Sequence, residues 1–237
     1  VARGSVKYLR VCQEVRADLE QLENGEFRDD HEPFQDFYAS PIHLVNGPHG
    51  WPSYVAKASL GLAPVEEDGS ANFYAPAGKV LYFEALDEDF NELQRMRSVI
   101  QLQPGERRSC VGCHDNRQSS PPPGIGLALT QPPQKLEPPP WGTEAFDYQK
   151  VVQPVLNAHC VRCHDGREPG RSDLRGTLDA GRVPASYRAL IEGGWVHYFD
   201  MTYKLRHHKA SPKTFGTLAS KLWKVLDAGH HKIELSR

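Results

Sequence analysis

Apolar and polar residues alternate near the start of the chain in the way that a half-buried β-strand requires. The alternation runs from Val6 to about Val15, in the segment VKYLRVCQEV. Three further strand-like segments follow from residue 71, separated by turn residues rich in Asp, Gly and Pro: ANFYA, KVLYFEAL and ELQRMRSVIQL. Short strands at this spacing predict a small antiparallel, β-rich domain of a sandwich-like or meandering kind.

Clusters of proline interrupt this pattern in the segment SSPPPGIGLALTQPPQKLEPPPWG, residues 119–142. Proline fixes φ and has no backbone N–H, so the segment can form neither a helix nor a central strand. We expect an extended tether, partly polyproline II, that links two domains or covers a cofactor.

The rest of the chain predicts helices. A short one is expected around residues 153–158, with Pro154 in its first turn, where no hydrogen bond is lost. A second is expected in TFGTLASKLWKVLDAGHHK, where Gly229 stands in the position of a helix-ending glycine. One face of this helix is apolar and carries Leu218, Leu222, Val225 and Leu226.

Composition and charge narrow the function classes. The chain has 237 residues, a formal net charge of −2 and a pI of about 6.6, so no global field attracts nucleic acid or an anionic membrane. No apolar run approaches the roughly 18 residues of a membrane helix. The chain starts with neither a methionine nor a leader, so we expect a processed product or a piece of a longer protein.

Four of the five cysteines lie in two copies of one motif, SCVGCHD at residues 109–115 and HCVRCHD at residues 159–165. Two cysteines separated by two residues match the two vinyl-derived arms of a haem, and the histidine that follows reaches the iron from the same side. The motifs therefore predict two covalently bound haem c groups. The residues predicted to hold them are Cys110, Cys113, His114, Cys160, Cys163 and His164.

Other uses of paired cysteines fit less well. A single zinc site with four cysteine ligands would take both pairs, but the intervening residues 114–159 exceed the usual spacing of about 15–20, and zinc does not explain the two histidines. A thioredoxin-like site needs one pair within a βαβ unit. The fifth cysteine, Cys12, lies in the first strand-like segment and is expected to be a buried free thiol.

The sixth ligand of each iron decides between electron carrier and catalyst. His230 is the preferred ligand of the second haem, since the preceding helix end holds its imidazole in place. Met201 is the runner-up there. For the first haem His43 and His49 are weak candidates, and an iron that is open or bound to water is the alternative.

The blocks around the motifs carry a family resemblance. From about Leu60 to the end, the chain resembles the C-terminal dihaem region of hydrazine synthase alpha-subunit-like proteins of planctomycetes and related bacteria, which are multihaem c-type cytochromes. The resemblance rests on the strand segments that lead into SCVGCHD, on the proline segment, on FDYQKVVQPVLNAHCVRCHDG and on FGTLASKLWKVLDAGHHKIELS.

This resemblance implies a β-rich middle domain, two haems and His230 as the distal ligand of the second. It also implies a β-propeller ahead of this region, so we expect a fragment or a free-standing relative. In hydrazine synthase the first haem is catalytic and a tyrosine four residues after the motif histidine is an iron ligand. Gln118 stands at the matching position here, which weakens the case for hydrazine chemistry.

The fold class predicted is α+β. We expect a β-rich domain over residues 1–108, the first haem motif and the tether over 109–141, and a mostly helical, cytochrome c-like domain over 142–237.

The function expected is electron transfer by a dihaem module, as part of or partner to a larger redox complex. The alternatives are a haem enzyme whose open first haem is fed by the second, and a sensory or structural haem domain. Covalent haem predicts an extracytoplasmic location, the periplasm or an equivalent lumen.

Overall fold

The computed structural model describes residues 1–15, 56–96, 98–110, 124–181, 183–197, 211–214 and 216–235. The chain divides into two compact units, Val1–Phe146 and Asp147–Arg237. The first unit contains an antiparallel sheet and the second contains short helices. This combination agrees with the predicted α+β class.

The first unit is built on four strands within the described residues. They are β1 (Tyr8–Val15), β2 (Ala56–Pro64), β3 (Leu81–Leu86) and β4 (Glu92–Arg95). Their order across the sheet is β2-β1-β3-β4, and every neighbouring pair is antiparallel. The strands predicted from the first alternating segment and from KVLYFEAL are confirmed as β1 and β3.

The two faces of this sheet differ in polarity because side chains alternate along each strand. Val11, Leu60 and Leu81 form the buried centre of the apolar side. On the other face the Arg10 guanidinium lies 3.0 Å from the buried Glu84 carboxylate. Cys12 is 4% exposed, and burial raises the pKa of its thiol to about 12. The expectation that Cys12 is a buried free thiol is therefore confirmed.

Loops cover the apolar face of this sheet in the described part of the first unit. Phe73 in ANFYA makes only an isolated bridge with Gln134, and Ile100 makes one with Leu81 after β4 has ended. Both side chains, with Leu136, pack against the apolar centre. The described strands thus make one sheet with loop cover, where the sequence predicted a sandwich-like arrangement.

The proline segment lies against the edge strand β2. Leu62 and Glu137 exchange backbone hydrogen bonds of 2.9 and 3.0 Å, and the Tyr74 N–H donates to the Gln134 carbonyl at 2.9 Å. A short 3-10 helix, Leu127–Thr130, precedes this contact. After this helix the segment is extended as predicted, but residues 134–137 are bound to the β unit and shield the exposed backbone edge of β2.

Gly61 marks the closest approach of this segment, and it offers a test of the contact. Its φ is +141°, and a Cβ there would lie 2.6 Å from the Glu137 carbonyl oxygen. We expect Gly61→Ala to lower the free energy of unfolding by about 2–5 kcal/mol, through backbone strain and overpacking.

Gly78→Ala is the matched control for this substitution. Gly78 has a φ of +70° but nothing within 4 Å of the added Cβ. It should lose only about 1–2 kcal/mol, the backbone cost of a left-handed residue. Urea unfolding of both variants measures the difference, and equal losses would show that residues 134–137 do not pack against β2 in solution.

The second unit contains three seven-residue α-helices in its described part. They are α1 (Gln153–His159), α2 (Ala185–Ile191) and α3 (Lys221–Asp227). A π-helical turn, Tyr148–Val152, leads directly into α1. The helices predicted around residues 153–158 and before Gly229 are confirmed as α1 and α3.

The core of the second unit joins these helices. Leu156 of α1, Leu190 of α2 and Leu174 of the intervening loop are each at most 7% exposed, and Leu222 of α3 packs against them. This core fixes the ends of α1 and α3 relative to each other within the unit. Where the chain is described, no helix combines the length and apolar character that crossing a bilayer requires.

Candidate functional site

The second Cys-x-x-Cys-His motif forms a tight turn that continues α1. The N–H groups of Cys160 and Val161 both donate to the Leu156 carbonyl, at 2.8 and 3.0 Å. The N–H groups of Cys163 and His164 then both donate to the Cys160 carbonyl, at 3.1 and 3.0 Å. This winding keeps the two cysteines and the histidine within about one helical turn of each other.

The main chain around Ser172 orients the ring of His164. The His164 Nδ1 lies 3.2 Å from the Ser172 carbonyl oxygen, which can only accept a hydrogen bond. Nδ1 must therefore carry a proton, and in the neutral ring Nε2 is the nitrogen that keeps a free lone pair. A second hydrogen bond, from the Leu174 N–H to the His164 carbonyl at 2.9 Å, holds the same residue from its backbone. His164 thus has the tautomer of a metal-ligating histidine.

His230 lies in a sharp turn just after α3. Gly229 has a φ of +88°, and its N–H donates to the Leu226 carbonyl at 3.0 Å, so the helix ends at the predicted glycine. His231 and Lys232 also have positive φ values, +49° and +60°, which are costly for residues with a Cβ. A 3.0 Å hydrogen bond from the Ile233 N–H to the His230 carbonyl closes the turn.

The imidazoles of His164 and His230 face the same space. Their ring centroids are 6.1 Å apart, and the ring planes are inclined at 41°. Two metal–imidazole bonds of about 2.0 Å, each with about 1.1 Å from the ring nitrogen to the ring centre, require a separation of roughly 6.2 Å. The observed distance is therefore short enough for both imidazoles to bind one metal ion.

The electrostatics of His230 favour its neutral form. Partial burial, and secondarily the nearby imidazoles of His231 and His164, lower the pKa of His230. The neutral imidazole is the form that binds a metal. His231 lies beside it, with ring centroids 4.4 Å apart in a T-shaped arrangement.

Both imidazoles line an open cavity of about 660 Å³, a volume that includes the solvent space at its mouth. Its apolar walls are formed by Leu174, Leu190, Trp195, Leu222, Val225 and Leu226. Cys160 and Cys163 line the same cavity, and neither forms a disulfide.

These features fit a haem bound through thioethers. The cavity offers apolar walls for a largely apolar macrocycle, two thiols at the motif spacing and two imidazoles at the separation that one iron requires. Burial raises the pKa of the Cys160 thiol, so it is protonated in the free chain.

The structure brings together four of the predicted site residues: Cys160, Cys163, His164 and His230. Of the first motif, only Cys110 lies in the described part, and it is exposed at the end of residues 98–110. The remaining candidates lie outside the described residues: Cys113, His114, Gln118, His43, His49 and Met201.

Sequence reasoning missed two contributors to this site. The Ser172 carbonyl is a backbone group, so no side-chain pattern signals it. Trp195 lines the cavity, and its carbonyl accepts the Leu222 N–H at 3.0 Å, which ties α3 to the end of α2. The apolar face predicted for α3 was the useful signal, because Leu222, Val225 and Leu226 all line the cavity.

Comparison with known proteins adds two findings. Residues 4–115 match the family described as hydrazine synthase alpha subunit, middle domain. Among solved structures, the chain is similar to hydrazine synthase of Kuenenia stuttgartiensis, with a TM-score of 0.53 and 18% sequence identity. No curated protein matches the chain.

The extent of these matches matters for their interpretation. The structural similarity covers 81% of this chain but 30% of the Kuenenia chain, so this chain spans less than a third of that protein. At this identity the similarity concerns the fold. The family match begins at residue 4, whereas the sequence placed the start of the resemblance near Leu60, and it ends at residue 115, just past the first motif histidine. Both findings support a relation to the hydrazine synthase alpha-like family.

Proposed function

We propose that this chain, related in its first half to the middle domain of the hydrazine synthase alpha subunit, is a dihaem c-type cytochrome module that transfers electrons. One observation carries the proposal. His164 and His230 face each other at 6.1 Å across an apolar cavity that Cys160 and Cys163 also line. The first haem is assigned to Cys110, Cys113 and His114 from the repeated motif.

Haem iron, when bound, supplies one-electron chemistry by alternating between its ferric and ferrous forms. Cys160 and Cys163 would hold the macrocycle through thioether bonds, and His164 and His230 would ligate the iron through neutral imidazole nitrogens. The Ser172 carbonyl accepts a hydrogen bond from the His164 Nδ1–H group and increases the basicity of the opposite nitrogen.

Rigidity of the site favours electron transfer. The cavity walls are largely apolar, and both histidines are held by main-chain hydrogen bonds within the same unit. Two fixed imidazoles would leave an iron at this site without an open position for substrate, so the second site suits a carrier more than a catalyst.

A larger redox complex is the proposed setting. This chain spans less than a third of the Kuenenia chain to which it is similar, so further domains or partner subunits would complete such an assembly. The proposed location is an extracytoplasmic compartment, the periplasm or an equivalent lumen, because haem is attached covalently to such motifs there. The proposed partner is a redox protein. The net charge of −2 does not favour binding to nucleic acid.

A haem enzyme with an open first haem is the second candidate. The family match over residues 4–115 favours it, because the match includes the first motif as well as the sheet. In such an enzyme the second haem site would pass electrons to the first, where a substrate would bind.

Spectroscopy of the holoprotein separates the two candidates. We expect mass spectrometry and the pyridine haemochrome to find two covalent haems per chain. A pure carrier predicts that both irons are low-spin and that the reduced protein does not bind carbon monoxide. A high-spin fraction that binds carbon monoxide at one haem per chain would favour the enzyme, and the absence of covalent haem would refute both.

A further inference from the structure

A chain of buried hydrogen bonds connects the start of α1 to the loop that orients His164. Gln153 is 6% exposed, and both polar atoms of its side chain form hydrogen bonds. Its Nε2 donates to the Leu174 carbonyl at 3.0 Å and to the Asn157 Oδ1 at 2.9 Å, and its Oε1 accepts from the Ser186 hydroxyl at 2.6 Å. The fully buried Ser186 in turn accepts from the Tyr148 hydroxyl at 3.0 Å.

The loop at the end of this chain holds His164 from two sides. The Ser172 carbonyl accepts from the ring Nδ1 at 3.2 Å, and the Leu174 N–H donates to the His164 carbonyl at 2.9 Å. Gln153 fixes the carbonyl of that same Leu174. The distance between Ser172 and the imidazole therefore depends on the Gln153 side chain, which acts on His164 through Leu174.

Close packing supports this connection independently. A Cβ added to Gly176 would lie 3.0 Å from the Cγ and 3.1 Å from the Cδ of Gln153, so the loop runs directly against this side chain. Burial of a side-chain amide costs free energy unless each of its polar atoms has a hydrogen-bond partner. The satisfied amide thus specifies one position of the loop relative to α1.

We propose that Gln153 is a positioning residue for the proximal ligand of the second haem, an inference that rests on the function proposed above. It holds residues 172–174 where the Ser172 carbonyl fixes the tautomer and the plane of the His164 ring. Loss of that hydrogen bond makes the imidazole a weaker donor to ferric iron, so it raises the reduction potential of the second haem.

Gln153→Met tests this assignment in the full-length holoprotein, because it keeps the length of the side chain and removes its hydrogen bonds. Ser186→Ala is the matched control: it also removes a buried polar group from the network, but it leaves Gln153 bound to Leu174. Potentiometric titration and the low-spin ferric electron paramagnetic resonance signal are the readouts. The signal of the second haem is identified by its loss in His230→Ala, in which that iron is expected to become high-spin.

We expect Gln153→Met to make the reduction potential of the second haem more positive and to change its low-spin signal. The potential of the first haem should not change in this variant, and Ser186→Ala should leave both potentials unchanged. An unshifted potential in Gln153→Met, or equal shifts in both variants, would overturn the proposal.

If Gln153→Met does not fold, Gly176→Ala decides, since its added methyl group pushes the Gln153 side chain away from the loop. It should give a smaller shift of the same sign, and no shift would overturn the proposal. A wild-type chain without covalent haem would instead refute the proposed function.

Discussion

Replacing Cys160 and Cys163 together by alanine should leave one covalently bound haem per chain instead of two. Both thiols line the cavity that holds the facing imidazoles, and a c-type haem forms its permanent bonds to the protein only through such thiols. Without them any haem at this site is held by iron ligation and apolar contact alone, and it is extracted by acidified organic solvent. Intact-protein mass spectrometry after denaturation counts the haems that remain.

Cys12→Ala is the control for this variant. Cys12 is 4% exposed in β1, and its thiol, with a pKa raised to about 12 by burial, is a structural group. This variant should keep both haems and lose only a little stability. Two covalent haems in the Cys160→Ala/Cys163→Ala protein, or stoichiometric zinc that disappears with either cysteine pair, would contradict the assignment.

Replacing His230 by alanine should convert the second haem from six-coordinate low-spin to five-coordinate high-spin. The ring of His230 lies 6.1 Å from that of His164, a separation that suits two bonds to one iron, and no methyl group can replace an imidazole nitrogen as ligand. The reduced variant should therefore bind one more carbon monoxide per chain than the wild-type protein. Optical and electron paramagnetic resonance spectra monitor the change.

His231→Ala provides a closely matched control. His231 is the next residue, is also exposed to the cavity and has its ring 4.4 Å from that of His230. Its replacement should leave the second haem low-spin and closed to carbon monoxide. A His230→Ala protein whose second haem stays six-coordinate and low-spin would refute the ligand assignment, and it would return attention to Met201.

The parts of the fold that the sequence predicted are those with strong local signals. β1 and β3 alternate clearly, and α1 has Pro154 in its first turn. β2 was missed because its sequence, AKASLGLAP, has small residues at buried positions: Ala58 and Ala63 are each 1% exposed. Such a strand forms through its pairing with β1, and local propensity carries little of that information.

The proline segment also shows that the sequence predicts local conformation but not tertiary contacts. Proline excludes helix and central strand by local chemistry, and the described part of the segment is indeed free of α-helix and lies at the sheet edge. Its attachment to β2 depends on Gly61, which lacks a side chain and so admits the backbone of Glu137. A glycine within an unrecognised strand gives no sequence signal for the partner that approaches it.

The sequence by itself determined the chemistry that is proposed for this protein. The spacing within Cys160-Val161-Arg162-Cys163-His164 brings two thiols and an imidazole together through one tight turn, and the glycine after α3 ends that helix next to His230. These are local properties, because each depends on residues within one or two helical turns of one another.

The sequence favoured His230 as the partner of His164, but only the tertiary structure decided how close the two rings lie and what holds them there. The packing of Leu156, Leu174, Leu190 and Leu222 brings the ends of α1 and α3 together, and a backbone carbonyl at Ser172 sets the tautomer of the proximal ring. Both depend on contacts between residues far apart in the chain. Burial of apolar surface drives those contacts, and because it has no direction of its own, the shapes of the whole unit determine where each imidazole lies.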